Sequence, residues 1–274
     1  MSLHLSPTLR RRLATASRPL FGGWVSSGSA IMAEIMAGSG LDWVLIDMEH
    51  APNELTSVLA QLHAVSAYPA TPVVRVPTGD AIVIKQVLDL GAQTILVPMV
   101  STEDQARAVA ASTQYPPAGR RGVGSALARS ARWNRVENYL ANAAEHVSVF
   151  VQVETAEGVE NAYEIASTPG IDGVFVGPSD LAASMGVIGQ QTHPEVVAAV
   201  RRAITNVARS GKPVGVNAFD PDSARTYVEA GATFVLVGAD VALVARASEA
   251  LATTFIPSAA LERKNFCEKE APHE

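Results

Sequence analysis

Two apolar runs in the middle of the chain each end on a carboxylate. One is Val147-Ser148-Val149-Phe150-Val151-Gln152-Val153-Glu154, the other Val174-Phe175-Val176-Gly177-Pro178-Ser179-Asp180. A carboxylate at the end of a buried strand is unfavourable unless a cation or hydrogen-bond donors receive it. Two of them, from successive strands of a parallel sheet, make half of a site for a hard divalent cation. Neither Glu154 nor Asp180 has a Cys or His ligand nearby. That donor set suits Mg2+, Mn2+ or Co2+ with positions open to water and substrate, and not a structural zinc. The competing reading has each carboxylate capping a following helix or pairing with an arginine. Strand parity puts Phe150, Gln152 and Glu154 on one face and Val147, Val149, Val151 and Val153 on the other. Gln152 and Glu154 are therefore expected side by side.

Other groups stand at strand ends. In Asp47-Met48-Glu49-His50, an aspartate three residues before a histidine can orient it and raise its basicity, as a general base requires. Glu49 either binds a water or faces solvent. Arg75 closes an apolar run and is either an anion-binding group or a structural ion pair; beside a metal and a histidine it would stabilise a developing oxyanion. Trp24, Ser26, Met99 and Asn217 also fall at strand ends. The lysines are Lys85, Lys212, Lys264 and Lys269. None lies where a Schiff base would need it, so carbonyl chemistry here has to be metal-assisted. Arg120, Arg121, Arg129, Arg132 and Arg135 cluster in and after the longest loop, 115–130. They are available to a substrate carboxylate, a subunit contact, or contacts between loops.

The elements that position these groups alternate between short β-branched runs and longer helical patterns, the βαβ signature. Strands are expected at 20–25, 43–47, 72–76, 94–98, 147–154, 173–176, 213–216 and 234–238. Helices are expected at 30–37, 54–66, 81–90, 103–111, 133–143, 158–167, 194–210, 222–230 and 241–252. Eight such units in about 250 residues fit a (β/α)8 TIM barrel, whose chemistry sits at the C-terminal ends of its strands. A doubly wound sheet is the alternative, but Val25-Ser26-Ser27-Gly28 lacks the glycine-rich phosphate turn that would mark one. One domain over 1–274 is expected, with an N-terminal helix within 1–18 and a polar tail at 257–274.

The chain has 274 residues, is 48% hydrophobic and 18% charged, and carries a net charge of -6. That composition supports a large core. The acidic balance argues against nucleic acid or an anionic membrane as partner. No apolar run approaches the roughly 20 residues of a membrane helix. The single cysteine, Cys267, excludes an internal disulfide and fits a reducing, cytoplasmic setting. Arg10, Arg11, Arg12 and Arg18 precede any acidic residue. They read either as a short amphipathic helix closing one end of the fold, from Pro7 to about Ala16, or as a transit-peptide composition.

Several segments carry a resemblance: Leu45-Ile46-Asp47-Met48-Glu49-His50-Ala51-Pro52-Asn53, Val74-Arg75-Val76-Pro77, Gln86-Val87-Leu88-Asp89-Leu90-Gly91-Ala92-Gln93-Thr94, Tyr115-Pro116-Pro117-Ala118-Gly119 through Arg121-Gly122-Val123-Gly124, Val151-Gln152-Val153-Glu154-Thr155 and Gly173-Val174-Phe175-Val176-Gly177-Pro178-Ser179-Asp180-Leu181. In this order, from about residue 19 to 256, they resemble the HpcH/HpaI family of metal-dependent pyruvate aldolases. The resemblance implies a phosphoenolpyruvate/pyruvate-type barrel whose last helix swaps between subunits of a homohexamer, a trimer of dimers. It implies that Glu154 and Asp180 bind the divalent metal, and that Gln152 with the backbone around Ser179 and Asp180 holds the pyruvate end of the substrate. His50 would be the base, Arg75 the oxyanion stabiliser, and Asp89 a group that raises the basicity of the histidine. The implied reaction is reversible cleavage of a 4-hydroxy-2-oxo acid to pyruvate and an aldehyde. Met48 and Ser179 stand where many members carry Gly and Ala, and 216–220 matches none closely, which leaves the aldehyde open. Two other readings are a citrate-lyase-like lyase acting on acyl-CoA, which would need a basic groove for the nucleotide, and a non-catalytic barrel that binds a 2-oxo acid.

Overall fold

The computed structural model describes residues 3–256. Eight parallel strands close a barrel in chain order: β1 (Leu20–Val25), β2 (Trp43–Asp47), β3 (Thr71–Arg75), β4 (Thr94–Val97), β5 (Ser148–Val153), β6 (Gly173–Val176), β7 (Val214–Asn217) and β8 (Phe234–Ala239), with β8 pairing back onto β1. This is the expected (β/α)8 TIM barrel. Because side chains alternate along a strand, each strand has one face toward the barrel axis and one toward the helices. Val149, Val151 and Val153 join the core between sheet and helices. Phe150 joins Leu20, Trp43, Leu45, Val73, Leu96, Phe175, Phe234 and Leu236 inside the barrel.

Glycines make room for these rings. Gly22 pairs with Trp43, Gly173 with Phe150, and Gly215 with Phe234 across neighbouring strands. A Cβ on those glycines would lie 2.3, 2.6 and 2.2 Å from the facing ring. The aromatics thus fill the barrel as a packed core, not a pore.

Helix α1 (Leu9–Thr15) plugs the N-terminal end. Leu9 packs inside the barrel and its N–H donates to Thr94 Oγ1 at 3.2 Å. Arg12 bonds the carbonyls of Asp42 and Pro69, Arg10 pairs with Asp172 at 2.9 Å, and Arg18 forks onto Asp42 at 2.8 and 2.9 Å. The basic N-terminal residues therefore tie α1 and the start of β1 to the N-terminal end of the barrel.

The remaining helices are α2 (Ala30–Gly38), α3 (Leu55–Val65), α4 (Ala81–Asp89), α5 (Glu103–Thr113), α6 (Tyr139–Asn142), α7 (Ala156–Glu160), α8 (Ala162–Ser167), α9 (Pro178–Ser184), α10 (Pro194–Arg209), α11 (Pro221–Glu229) and α12 (Asp240–Phe255). Side-chain caps set several starts: Asp80 accepts from the first turn of α4, Asp220 from that of α11, and Thr102 with Gln105 forms a capping box on α5.

Three expectations need correction. No continuous helix spans 133–143. A 3-10 turn at Arg129–Ala131 and the single turn of α6 replace it, because Arg132, Trp133, Asn134 and Asn138 adopt left-handed φ values of 50 to 62°. The apolar spacing there serves a small satellite core of Ala131, Val136, Tyr139 and Ala143. The helix expected at 158–167 is two, divided at Asn161, whose Nδ2 bonds the Ser101 carbonyl at 2.8 Å. Helix α9 was not anticipated, and it begins on Pro178 at a position where a missing N–H costs nothing.

At the C-terminus, α12 has Asp240 as its single buried residue, while Val241, Leu243, Val244, Leu251 and Phe255 are exposed. An apolar groove of about 420 Å³ lined by Phe21, Ala218, Phe219, Val228 and Val237 stands open nearby. The expected tail at 257–274 lies outside the described residues. No helix among the described residues is long and apolar enough to cross a membrane.

Candidate active site

The mouth of the barrel, where β2, β3, β5 and β6 end, gathers four carboxylates and one guanidinium. Asp47 and Arg75 are register partners at the ends of β2 and β3. Both point inward by parity and both are buried. Arg75 Nε and Nη2 donate to Asp47 Oδ1 and Oδ2, each at 2.8 Å. Arg75 Nη1 lies 2.9 Å from Glu49 Oε2. The indole of Trp24 stacks on the guanidinium at 4.3 Å and donates its own N–H to Asn217 Oδ1 at 2.9 Å. A planar guanidinium forked by carboxylate and backed by an aromatic ring has one orientation open to it.

The pairing alters two expectations. Asp47 orients Arg75 and the N–H of Glu49 at 3.0 Å, and not His50. Glu49 is an ion-pair partner, half-buried, and burial raises its carboxyl above the ordinary range against the pull of Arg75. His50 is largely exposed, and its Nε2 lies 3.9 Å from Glu49 Oε2.

Opposite, Glu154 is 2% exposed at the end of β5. Its Oε1 accepts from the Met99 N–H at 2.7 Å and its Oε2 from Gln152 Nε2. Gln152 and Glu154 thus stand side by side as parity requires. Burial pushes the Glu154 carboxyl up to about 7; the two hydrogen bonds pull it down, and the charges of Asp180 and Glu49 push it further up. Asp180 sits in the first turn of α9, exposed, with Ser179 before it. Gly177 lets this arrangement close, since a Cβ there would lie 2.8 Å from Glu154 Oε2 and 3.0 Å from Gln152 Nε2. Met99 reaches Glu154 from a left-handed backbone (φ 57°), a strained conformation for a non-glycine residue.

Asp89 does not join the mouth. It is the last residue of α4, which runs back from the end of β3 toward the N-terminal end of the barrel. There its Oδ1 accepts from Arg121 Nη2 at 2.8 Å. Arg121 is buried and stacks 4.6 Å from the ring of Tyr115. The other arginines of that cluster also serve inter-loop contacts, Arg120 on Ser112 and Arg129 on the Leu90 carbonyl.

The residues that local sequence did not single out are Asp47 as the partner of Arg75, Trp24 as its platform, and Met99 as a backbone donor. The first two carry a readable signal, because inward parity at adjacent strand ends places them against Arg75. A left-handed methionine carries none.

Fold and mouth together define a (β/α)8 barrel with an acid-rich, oxygen-only site at its C-terminal face. The chain belongs to the family described as HpcH/HpaI aldolase/citrate lyase, which it matches over residues 20–247. It is 51% identical over 240 residues to a 4-hydroxy-2-oxo-heptane-1,7-dioate aldolase of Escherichia coli, covering 88% of this chain and 92% of that one. A solved HpcH/HpaI family protein from Burkholderia cenocepacia J2315 superposes with a TM-score of 0.86 at 42% identity, covering 90% of this chain and 98% of that one. A citrate synthase of the same fold follows at TM-score 0.80 and 27% identity, covering 90% and 97%. The family is in general divalent-metal dependent.

Proposed function

We propose that this chain is an aldehyde-lyase that reversibly cleaves 4-hydroxy-2-oxo acids to pyruvate and an aldehyde, with the 4-hydroxy-2-oxoheptanedioate type as its substrate class. The observation that carries the reading is the electrostatic imbalance at the mouth. Asp47, Glu49, Glu154 and Asp180 gather at the mouth with Arg75 as the single cation among the described residues, and Glu154 is buried with its carboxyl raised to about 7. Such a cluster is costly without a further positive charge. Its donors are all oxygens, and Gln152 Oε1 is buried with no partner among the described residues.

These residues fit a divalent cation such as Mg2+, Mn2+ or Co2+. Glu154 and Asp180 would hold it. Among the described residues no three His, Cys, Asp or Glu side chains converge on one point, so water and substrate would complete the shell, as Mg2+ tolerates well. When bound, the cation supplies Lewis-acid polarisation of a 2-oxo acid.

The chain's own residues do the rest. Gln152, with the free N–H groups of Ser179 and Asp180 at the start of α9, holds the carboxylate end of the substrate. Arg75, fixed by Asp47 and Trp24, presents a donor to the oxygen on which negative charge develops as the C3–C4 bond breaks. His50, exposed at the rim, takes the C4 hydroxyl proton through a water. Which aldehyde fits depends on groups bordering the mouth, Met48 and 216–220 among them.

The test is the cleavage of 4-hydroxy-2-oxoheptanedioate with and without chelator. Activity should vanish on chelation and return with Mg2+, Mn2+ or Co2+. Deuterium should also enter the pyruvate methyl group in D2O. Turnover that survives thorough chelation would reject the reading. Metal-dependent pyruvate binding without exchange would favour a non-catalytic 2-oxo-acid-binding barrel.

The same reading makes the protein a homo-oligomer, and two features support it. The apolar stripe of α12 has no partner among the described residues, and the open groove beside β8 and β1 could receive that helix from a second copy. Asp89 lies toward the far end of the barrel from His50, so it can raise the basicity of a histidine only across a subunit boundary. A mixing experiment checks this. His50→Asn and Asp89→Asn, each nearly inactive alone, should regain activity when dissociated and reassembled together. Failure to complement would remove Asp89 from the site.

A further inference from the structure

The N-terminal end of the barrel holds a second concave site, of about 380 Å³, bounded by α1, α3, the starts of β3 and β4, and residues 129–132. Three guanidiniums line it, those of Arg12, Arg129 and Arg132, and among the described residues no carboxylate does. In a chain with six more negative than positive charges, this is a local reversal of sign.

The three are fixed differently. Arg12 is tethered through Nη1 to the carbonyls of Asp42 and Pro69 and to Thr71 Oγ1, at 3.0, 2.7 and 3.1 Å. Arg129 Nη1 donates to the Leu90 carbonyl at 3.1 Å, at the C-terminal end of α4. Arg132 Nη1 donates to the Arg129 carbonyl. The tips of the last two converge. A Cβ on Gly91, which has φ +94°, would lie 2.7 Å from Arg129 Nη1 and 2.9 Å from Arg132 Nη1.

Capping of α4 explains one hydrogen bond of Arg129. It does not explain why a second half-buried guanidinium is brought beside the first. Burial and the neighbouring Arg132 lower Arg129 to about 10, and no carboxylate offsets this. His63 is lowered too, by burial and then by both arginines. Like charges gathered in a partly dehydrated cleft are stabilised when an anion lies between them.

We propose that this cleft is a binding site for a small phosphate-bearing anion, separate from the mouth of the barrel. Guanidinium forks match the oxygens of a phosphate group. The volume suits a phosphate ester of metabolite size. Ser66 and Thr71 supply hydroxyls to the lining. A ligand here would brace α1 against α3 and the loop that carries Arg129.

The experiment is titration of the full-length protein with inorganic phosphate, by calorimetry and by melting temperature, against chloride at equal ionic strength. One saturable site per chain is expected, with a matching rise in melting temperature. The double variant Arg129→Gln/Arg132→Gln should weaken binding at least tenfold. Ser66→Glu should do the same by placing a carboxylate at the cleft while leaving both guanidiniums in place, which covers the case of a double variant that fails to fold. Arg75→Lys should leave the affinity unchanged, because the mouth is not involved. Absence of a saturable site, equal affinity in the cleft variants, or loss in Arg75→Lys overturns the proposal. Tighter binding of succinate than of phosphate overturns the phosphate class.

Discussion

On the β2–β3 side of the mouth, Asp47 and Glu49 face Arg75, whereas on the β5–β6 side Glu154 has two hydrogen-bond donors and neither it nor Asp180 pairs with a cation among the described residues. Both sides bury acid at strand ends. The first is complete within the chain, because register pairs Asp47 with Arg75 and Trp24 closes the open face of the guanidinium. The second leaves a carboxyl raised to about 7 beside an unpartnered glutamine oxygen. A chain that balances charge on one side and leaves it unbalanced a few strands away has room there for a ligand that brings positive charge. The contrast separates a rigid electrophile from a receptive acid pair.

The largest expected effect breaks the complete side. Arg75→Ala leaves the buried Asp47 without its partner, and removal of one member of a buried pair costs about 3–5 kcal/mol. Chemical denaturation should show that loss, together with loss of turnover. An Arg75→Ala protein as stable as wild type would mean that Asp47 is solvated and the fork is incidental.

A smaller effect of opposite sign is expected on the other side. The Glu154 carboxyl titrates near 7 in the folded chain and near the ordinary value, about 4.5, when unfolded. Between those values the folded state holds the extra proton, so metal-free stability should fall as pH rises from about 4.5 to about 7. The span corresponds to roughly 3 kcal/mol. Glu154→Gln removes this cost, so the metal-free variant should be more stable than wild type above pH 7 and its profile flatter. Identical profiles for the two proteins would show that the carboxylate is not destabilised.

The same division runs through what the sequence made legible. Strand positions and inward parity follow from alternation within one segment, so the barrel and the Gln152–Glu154 pair could be read directly. Three of the strands, β1, β2 and β6, fall at the expected bounds. Contacts between segments were harder. Local spacing pairs Asp47 with His50, three residues away, but a bidentate guanidinium 28 residues on offers a buried carboxylate more than an exposed imidazole can. Asp89 carries no local sign that Arg121 will take it. The left-handed run through Arg132, Trp133 and Asn134 was hidden because the apolar spacing around it also fits a helix. Helix α12 is visible as an apolar helix, but its lack of cover among the described residues is not.

The central claim is that Glu154 and Asp180 jointly receive a divalent cation, and Mn2+ titration by calorimetry addresses it most directly. At pH 8 the wild-type protein should bind one ion per chain, Glu154→Gln and Asp180→Asn should each abolish or strongly weaken binding, and wild-type affinity should drop by pH 6 as protons compete at Glu154. Unaltered Mn2+ affinity in either variant would contradict the account.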